Sequence, residues 1–187
     1  VFISITGNLG SGKSTVCAYL RETYNAIIYS TGRIHRDIAQ RMGKSTLEMN
    51  LLMKDDHSYD HMIDDEVVEL SKKRHPSVVV FDSRMAWHFA VKSFKVFLSA
   101  DADVAAERVY HASRGKEEVY ASLEDAKAKL AARAEAERER FKLIYGVDYT
   151  DPANFDLIAD TSARTPEEVA ELVYSEALRY YRDAGPA

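Results

Sequence analysis

Cysteine occurs once in this 187-residue sequence, at Cys17. An internal disulfide is therefore excluded, and a reducing compartment is expected. No apolar run is long enough to cross a bilayer as a helix. The apolar start of the chain lacks the basic flank of a signal peptide and runs directly into a glycine-rich loop. Basic residues are not in excess: 25 Lys and Arg stand against 30 Asp and Glu, a net charge of −5. That balance argues against a general binder of nucleic-acid polymers or membrane surfaces, while leaving room for a local basic pocket. Internal repeats and low-complexity segments are also missing. What remains is ordinary globular composition, 46% hydrophobic and 29% charged, in a chain the size of one domain. A monomeric cytoplasmic enzyme is expected.

The first fourteen residues organise the rest. Val1–Thr6 is a β-branched, apolar run of strand length, and Gly7-Asn8-Leu9-Gly10-Ser11-Gly12-Lys13-Ser14 follows at once. This is the G-x-x-x-x-G-K-[ST] spacing of a phosphate-binding loop. Glycines at 7, 10 and 12 let the backbone bend so that successive N–H groups point at phosphate oxygens. Lys13 is expected to reach the β- and γ-phosphates, and the Ser14 hydroxyl to help hold Mg²⁺. A helix begins here, its positive dipole end toward the same anion. Gly7, Asn8, Leu9, Gly10, Ser11, Gly12, Lys13, Ser14 and Thr15 are thus the expected binding segment for ATP, with Cys17 a small core residue behind it.

Further strands are expected at Ala26–Tyr29, Ser77–Asp82, Phe94–Leu98 and Phe155–Ala159. The second of these is apolar nearly throughout, as a parallel strand covered on both faces should be. Helical patterns lie between them: Thr15–Tyr24, Ile34–Met42, Ser45–Met53 with Ser45 as N-cap, Tyr59–Lys73, Val104–His111, Leu123–Ile144 and Thr165–Arg182. In the helix at 59–73, Tyr59, Ile63, Val67 and Leu70 fall on one face. Strands alternating with helices imply an α/β, three-layer phosphate-loop NTPase sandwich with a five-stranded parallel sheet. It forms one domain, with a helical insertion at about 31–75 and an arginine-rich, hairpin-like lid at about 108–142. Both should overhang the carboxyl ends of the strands, where open α/β sheets bind ligands.

A GTP-binding switch would need an N-K-x-D element, which is missing, and a D-x-x-G where Asp82 is followed by Ser83-Arg84-Met85. Motor and helicase ATPases need more chain. A small-substrate kinase is left.

Several further segments resemble the cytidylate kinase family, closest to its short archaeal type. They are Ser30-Thr31-Gly32 leading into a helix with Arg36, Asp60-x-x-Ile63-Asp64, Phe81-Asp82-Ser83-Arg84, Ala106-Glu107-Arg108, Arg140-Phe141-Lys142-x-Ile144-Tyr145-Gly146-Val147-Asp148, and Asp160-Thr161-Ser162. Together they span nearly the whole chain. The resemblance implies transfer of the ATP γ-phosphoryl group to CMP or dCMP, with Mg²⁺. It implies an acceptor site of Ser30, Gly32, Arg36, Asp64, Asp82 and Arg84, in which Arg36 and Arg84 clamp the acceptor phosphate. Arg108, Arg114, Arg133 and Arg140 belong to the lid in this scheme. Lys13, Arg36, Arg84, Arg108, Arg133 and Arg140 are the expected catalytic cations, Ser14 and Asp82 the metal-side groups, and Ser162 a neighbour of the adenine. The chemistry asks for this set. A phosphate acceptor is already anionic, so transfer needs charge neutralisation, in-line positioning and exclusion of water, and arginine forks bind phosphate oxygens bidentately.

Other readings stay open. The lid arginines could be a solvated helix face paired with Glu135, Glu137 and Glu139. His57 and His61 stand four apart among Asp56, Asp60 and Asp64, but no third His or Cys completes a metal set, which favours a polar face. Trp87 could pack beside the third strand or line the base pocket, and packing is favoured. The chain departs from the family at Ser83, where Gly is usual, and at Glu66 and Val67, where Arg and Gln are usual. These departures leave the acceptor base open. A kinase for another nucleoside monophosphate or a small metabolite, and a non-catalytic nucleotide-binding module, are the alternatives.

Overall fold

The computed structural model describes residues 1–44, 48, 58–112 and 120–183, with 58–60 by backbone alone. Its centre is a fully parallel sheet of β1 (Phe2–Gly7), β2 (Ile27–Ser30), β3 (Val79–Asp82), β4 (Phe94–Ser99) and β5 (Leu157–Asp160), in the order β2-β3-β1-β4-β5. Helices α1 (Lys13–Tyr24), α2 (Thr31–Arg41), α3 (Ser58–Lys72), α4 (Ala86–Phe89), α5 (Ala102–His111), α6 (Leu123–Tyr145) and α7 (Pro166–Asp183) occupy the crossovers and the C-terminal stretch. The chain leaves β1 for β2 on one side of the sheet and leaves β3 for β4 on the other, so the loop after β1 sits at the point where strand order reverses. That is where open α/β sheets bind ligands.

Alternation along the strands divides the core into two layers. Ile3, Ile5, Val80, Val96 and Leu98 pack against Val16 and Leu20 of α1 and Val169 and Val173 of α7. Val79 and Phe81 face the other way, onto Ile34 and Ile38 of α2 and Ile63, Val67 and Leu70 of α3. A strand buried on both faces is why residues 78–81 read as continuous apolar sequence. β1 also buries Ser4 and Thr6. Ser4 Oγ lies 3.0 Å from Ser93 Oγ, and Thr6 Oγ1 donates to the carbonyl of Ser83 at 3.0 Å, which fixes the chain just beyond β3.

Helix α6 starts at its N-cap Ser122, whose hydroxyl accepts from Asp125 N at 3.1 Å. Its first half packs on α5 through Ala126, Leu130, Ala105 and Ala106. Its second half sends Phe141 and Tyr145 into a cluster with Met85, Trp87 and Tyr149. The arginine-rich stretch is therefore a pair of packed helices in its described part. Trp87 is a packing residue, as favoured from sequence, and lies 5.6 Å from Phe155 between ring centroids.

Two local expectations need correction. The helix expected from Ile34 starts earlier: Ser30 is the N-cap of α2, its hydroxyl accepting from Arg33 N at 3.2 Å, and the helix already includes Thr31 and Gly32. The four-residue α4, following Arg84-Met85, was not expected at all, because one turn has no periodicity to detect. The helix expected over 45–53, apart from residue 48, lies outside the described residues, as do Asp56, His57 and Arg114.

Candidate active site

β1 delivers the loop 7–12 to the start of α1. The loop is wrapped too closely for side chains at two positions. A Cβ on Gly7 would stand 2.4 Å from the Leu98 carbonyl oxygen. Gly10 has φ +78°, and a Cβ there would stand 2.7 Å from the Ala105 carbonyl oxygen. The glycines thus satisfy a steric demand of β4 and α5 as well as the bend itself. Thr15 N and Val16 N both donate to Gly12 O at 3.0 Å, while the N–H groups at the very start of α1 have no intrahelical acceptor by helix geometry. This tight cradle at a helix start fits a phosphate chain.

Lys13 projects from α1 to form an ion pair with Asp82 at the end of β3, both side chains largely shielded from solvent. Ile5 stands beside Asp82 in the sheet register, and so does Ser30. Cys17, one turn along α1, is buried, and desolvation pushes its thiol up to about 12, with the Asp82 charge adding to the shift. It is inert core, as expected.

Arg84 points back over the loop. Its Nη1 donates to the Gly7 carbonyl at 2.9 Å, and its Nε to Glu137 Oε2 of α6 at 2.9 Å. Arg133 Nε donates to the other oxygen of the same carboxylate at 3.2 Å. Loop residues Asn8 to Thr15, with Arg84, Arg133, Tyr120 and Leu130, line a cleft of about 150 Å³. A second cavity of about 330 Å³ adjoins the loop on the side of α5 and α7. It is lined by Gly10 to Gly12, Val16, Arg108, Val109, Arg164 and Pro166, among others. Arg108 is tied along its wall: Nη1 donates to Thr161 Oγ1 at 3.0 Å and Nη2 to the Thr161 carbonyl at 2.6 Å. Buried Thr161 also lies 3.0 Å from the carbonyls of Ser11 and Ser99, so it joins the loop, β4 and Arg108. Ser162 closes a turn instead: its hydroxyl and N–H both donate to Asp160, holding that carboxyl below its ordinary range, and its oxygen accepts from Asp101 N.

The acceptor-side residues are spread over β2, α2 and α3. Arg36 is exposed on α2, and its Nη1 stands 3.5 Å from where a Cβ on Gly32 would be. Asp64 is buried on α3 and accepts from Tyr145 Oη at 2.7 Å. His61 lies beside it, Nδ1 3.7 Å from Oδ2. Among the described residues no group of three His, Cys, Asp or Glu side chains could hold a metal on its own. Arg140 is exposed on α6.

The structure therefore brings Lys13, Asp82, Arg84 and Arg133 together at the loop and sets Arg108 in the neighbouring cavity. Arg36 lies on α2 and is not among the residues lining the loop cleft. Sequence reasoning missed Arg164 and the roles of Glu137 and Thr161, named there only as a helix-face partner and as part of a family segment. Glu137 had a signal, its i,i+4 spacing from Arg133, but that spacing says nothing of Arg84.

A model of the cytidylate kinase-like family matches residues 2–163. The chain belongs to the cytidylate kinase-like family. Family membership makes it an ATP-dependent phosphotransferase. It is 35% identical over 172 residues to the cytidylate kinase of Sulfolobus acidocaldarius, covering 91% of each chain. It is 32% identical to an S-adenosylmethionine-dependent nucleotide dehydratase of Lacinutrix mariniflava, covering 91% of this chain but 34% of that one. A shikimate kinase of Acinetobacter baumannii solved with shikimate superposes with a TM-score of 0.58 at 15% identity, over 96% of this chain and 93% of that one. This last likeness shows the phosphate-loop kinase fold alone.

The family segments now have physical reasons. In the Ile144-Tyr145-Gly146-Val147-Asp148 run, Tyr145 serves Asp64, α6 stops at Gly146, and Asp148 anchors both Arg138 and Thr150. Arg138 and the Thr150 hydroxyl hold the Asp148 carboxyl down at about 2. The departures are accounted for too. Ser83 Oγ accepts from Met85 N at 3.3 Å, Glu66 pairs with Arg41 at 2.6 Å, and Val67 is buried against α2 and β3.

Proposed function

We propose that the protein is a nucleoside monophosphate kinase that transfers the γ-phosphoryl group of ATP to the phosphate of CMP or dCMP, giving ADP and CDP or dCDP. The observation that most supports this is the hydrogen bond from Arg84, the cation ending the third strand, to Gly7 of the phosphate loop. It joins an acceptor-side cation to the donor cradle, which is what in-line transfer between two anions requires.

In this reading the cavity beside Arg108 and Arg164 takes the base of ATP, and the loop 7–15 with Lys13 takes its phosphates. Ser30, Gly32, Arg36, Asp64, Asp82 and Arg84 serve the monophosphate. An acceptor phosphate oxygen forms a bond to the γ-phosphorus as the bond from that phosphorus to the β–γ bridging oxygen breaks, and the electron pair leaves with ADP. Lys13, Arg84 and Arg133 offset the charge on the equatorial oxygens. Ser14 and Asp82 would hold Mg²⁺, which would supply further charge neutralisation there. The insertions at about 31–75 and 108–142 act as acceptor cover and lid, closing before transfer and excluding water. A soluble, monomeric, cytoplasmic enzyme acting on small nucleotides fits this role. Among the described residues, no helix is long and apolar enough to cross a membrane.

The test is incubation with Mg-ATP and a panel of nucleoside monophosphates and small metabolites, following ADP. Formation of ADP with CMP or dCMP above the other monophosphates is expected. No ADP with any monophosphate would overturn the reading, and ADP with shikimate or another metabolite alone would move the protein to a different substrate class.

A further inference from the structure

We propose that Glu137 is a positioning residue that sets Arg84 and Arg133 as a pair over the phosphate loop; the kinetic part of this proposal rests on the kinase reading above. Two like-charged guanidinium groups beside one cleft repel each other and would separate without a counter-charge between them. Glu137 provides one, with each carboxylate oxygen taking a different arginine: Oε2 the Nε of Arg84 at 2.9 Å, Oε1 the Nε of Arg133 at 3.2 Å.

The mode of contact matters. A carboxylate that simply neutralised an arginine would meet the fork of two parallel N–H groups. Glu137 instead binds both arginines through Nε. At Arg84, Nη1 is given to the Gly7 carbonyl at 2.9 Å, and Nη2 has no partner among the described residues. The side chain is thus held at two points, with a donor left over beside the loop. Arg84 and Arg133 both line the cleft formed with Asn8 to Thr15.

The alternative is that Glu137 merely stabilises α6 through an i,i+4 pair. Such pairs contribute little and are satisfied by one partner on the same helix. Here the second oxygen reaches 53 residues back to the turn after β3, and the Arg84 and Glu137 side chains are only 19% and 23% exposed. The carboxylate therefore ties the placement of α6 to the direction of a cation on the sheet. Movement of α6 and orientation of Arg84 become one event.

Two measurements test this. In the first, the arginine Nε–H signals of Arg84 and Arg133 are followed by NMR in the wild type and in Glu137→Gln, a variant of the same size. Shifts of both signals are expected; an unmoved Arg84 signal would overturn the contact whether or not the protein is a kinase. In the second, kcat and KM are measured for Glu137→Ala, Arg84→Ala and the double variant. Glu137→Ala is expected to lower kcat about thirtyfold, with the KM for ATP changed less than about threefold. The double variant should fall short of the product of the two losses, and Glu137→Ala added to Arg84→Ala with Arg133→Ala should change kcat less than about twofold, because a residue acting through those two arginines adds nothing once both are gone. Losses that multiply, or an unchanged kcat in Glu137→Ala, would overturn the proposal. Thermal unfolding of each variant separates loss of fold from loss of positioning, with Glu137→Gln as the milder case, expected to fall between wild type and Ala in kcat. A wild type that transfers nothing would overturn the kinase reading while leaving the NMR result to judge Glu137.

Discussion

Tyr145 donates a hydrogen bond of 2.7 Å to Asp64, tying the last turn of α6 to the middle of α3. The two residues are 81 positions apart, and they join the proposed acceptor cover to the end of α6, just beyond the proposed lid. Asp64 is buried, and a buried carboxylate that loses a donor is costly. Tyr145→Phe should therefore destabilise the protein by about 1–3 kcal/mol in urea unfolding. It should also raise the KM for CMP several-fold while leaving the KM for ATP unchanged. An equal rise in both would mean that the contact supports the fold without bearing on the acceptor side.

A second prediction concerns acid. Arg138 and Thr150 hold the Asp148 carboxyl at about 2 against an ordinary 3.8. Because the folded value is the lower one, the stabilisation is present above the unfolded value and is lost as pH falls from about 4 to about 2. Arg138 is nearly half exposed, so solvent screening reduces the contribution to about 1 kcal/mol. Asp148→Asn should lower stability by about that much at pH 7, and the gap from wild type should close by pH 2. A gap independent of pH would contradict the assignment to the ionised pair.

The phosphate loop offers a steric test. At Gly10 an added methyl meets both a left-handed backbone and the Ala105 carbonyl 2.7 Å away. Gly10→Ala should cost about 1–3 kcal/mol of stability and weaken ATP binding at least tenfold by calorimetry. Wild-type affinity would mean that the loop can move away from α5 freely.

Much of this was legible in the sequence because it is local. The loop motif, the apolar strands and the amphipathic helices follow from short-range pattern, and the sheet follows from their alternation. Lys13 was named from the loop motif, and Asp82 and Arg84 from strand-end position together with the family resemblance. What was not legible depends on side-chain direction between distant segments. Nothing in the spacing of Arg133 and Glu137 shows that the same carboxylate reaches Arg84. Val67 reads as a departure at a base-contacting position, yet it is buried against α2 and β3. Its i,i+4 relation to Ile63 carried that information, and the family comparison obscured it. Thr161 lay inside a recognised segment, but its buried hydroxyl serves backbone carbonyls from two other elements, a role no local pattern encodes.

Arg84 separates donor from acceptor. With Nη1 on Gly7 and Nε on Glu137, its loss should remove charge stabilisation from the transfer without dismantling the loop. Arg84→Ala should lower kcat/KM for CMP about a hundredfold, the scale of one lost charge-stabilising contact, with ATP binding nearly intact. Parallel loss of ATP binding would make Arg84 a structural support of the loop.

The most direct test of the central claim follows the phosphorus itself. The protein is incubated with ATP labelled at the γ-phosphate, Mg²⁺ and CMP, and the nucleotides are separated. The account predicts label in the β-phosphate of CDP, appearing one for one with ADP. Label remaining in ATP, or released only as inorganic phosphate with CMP unchanged, would contradict it.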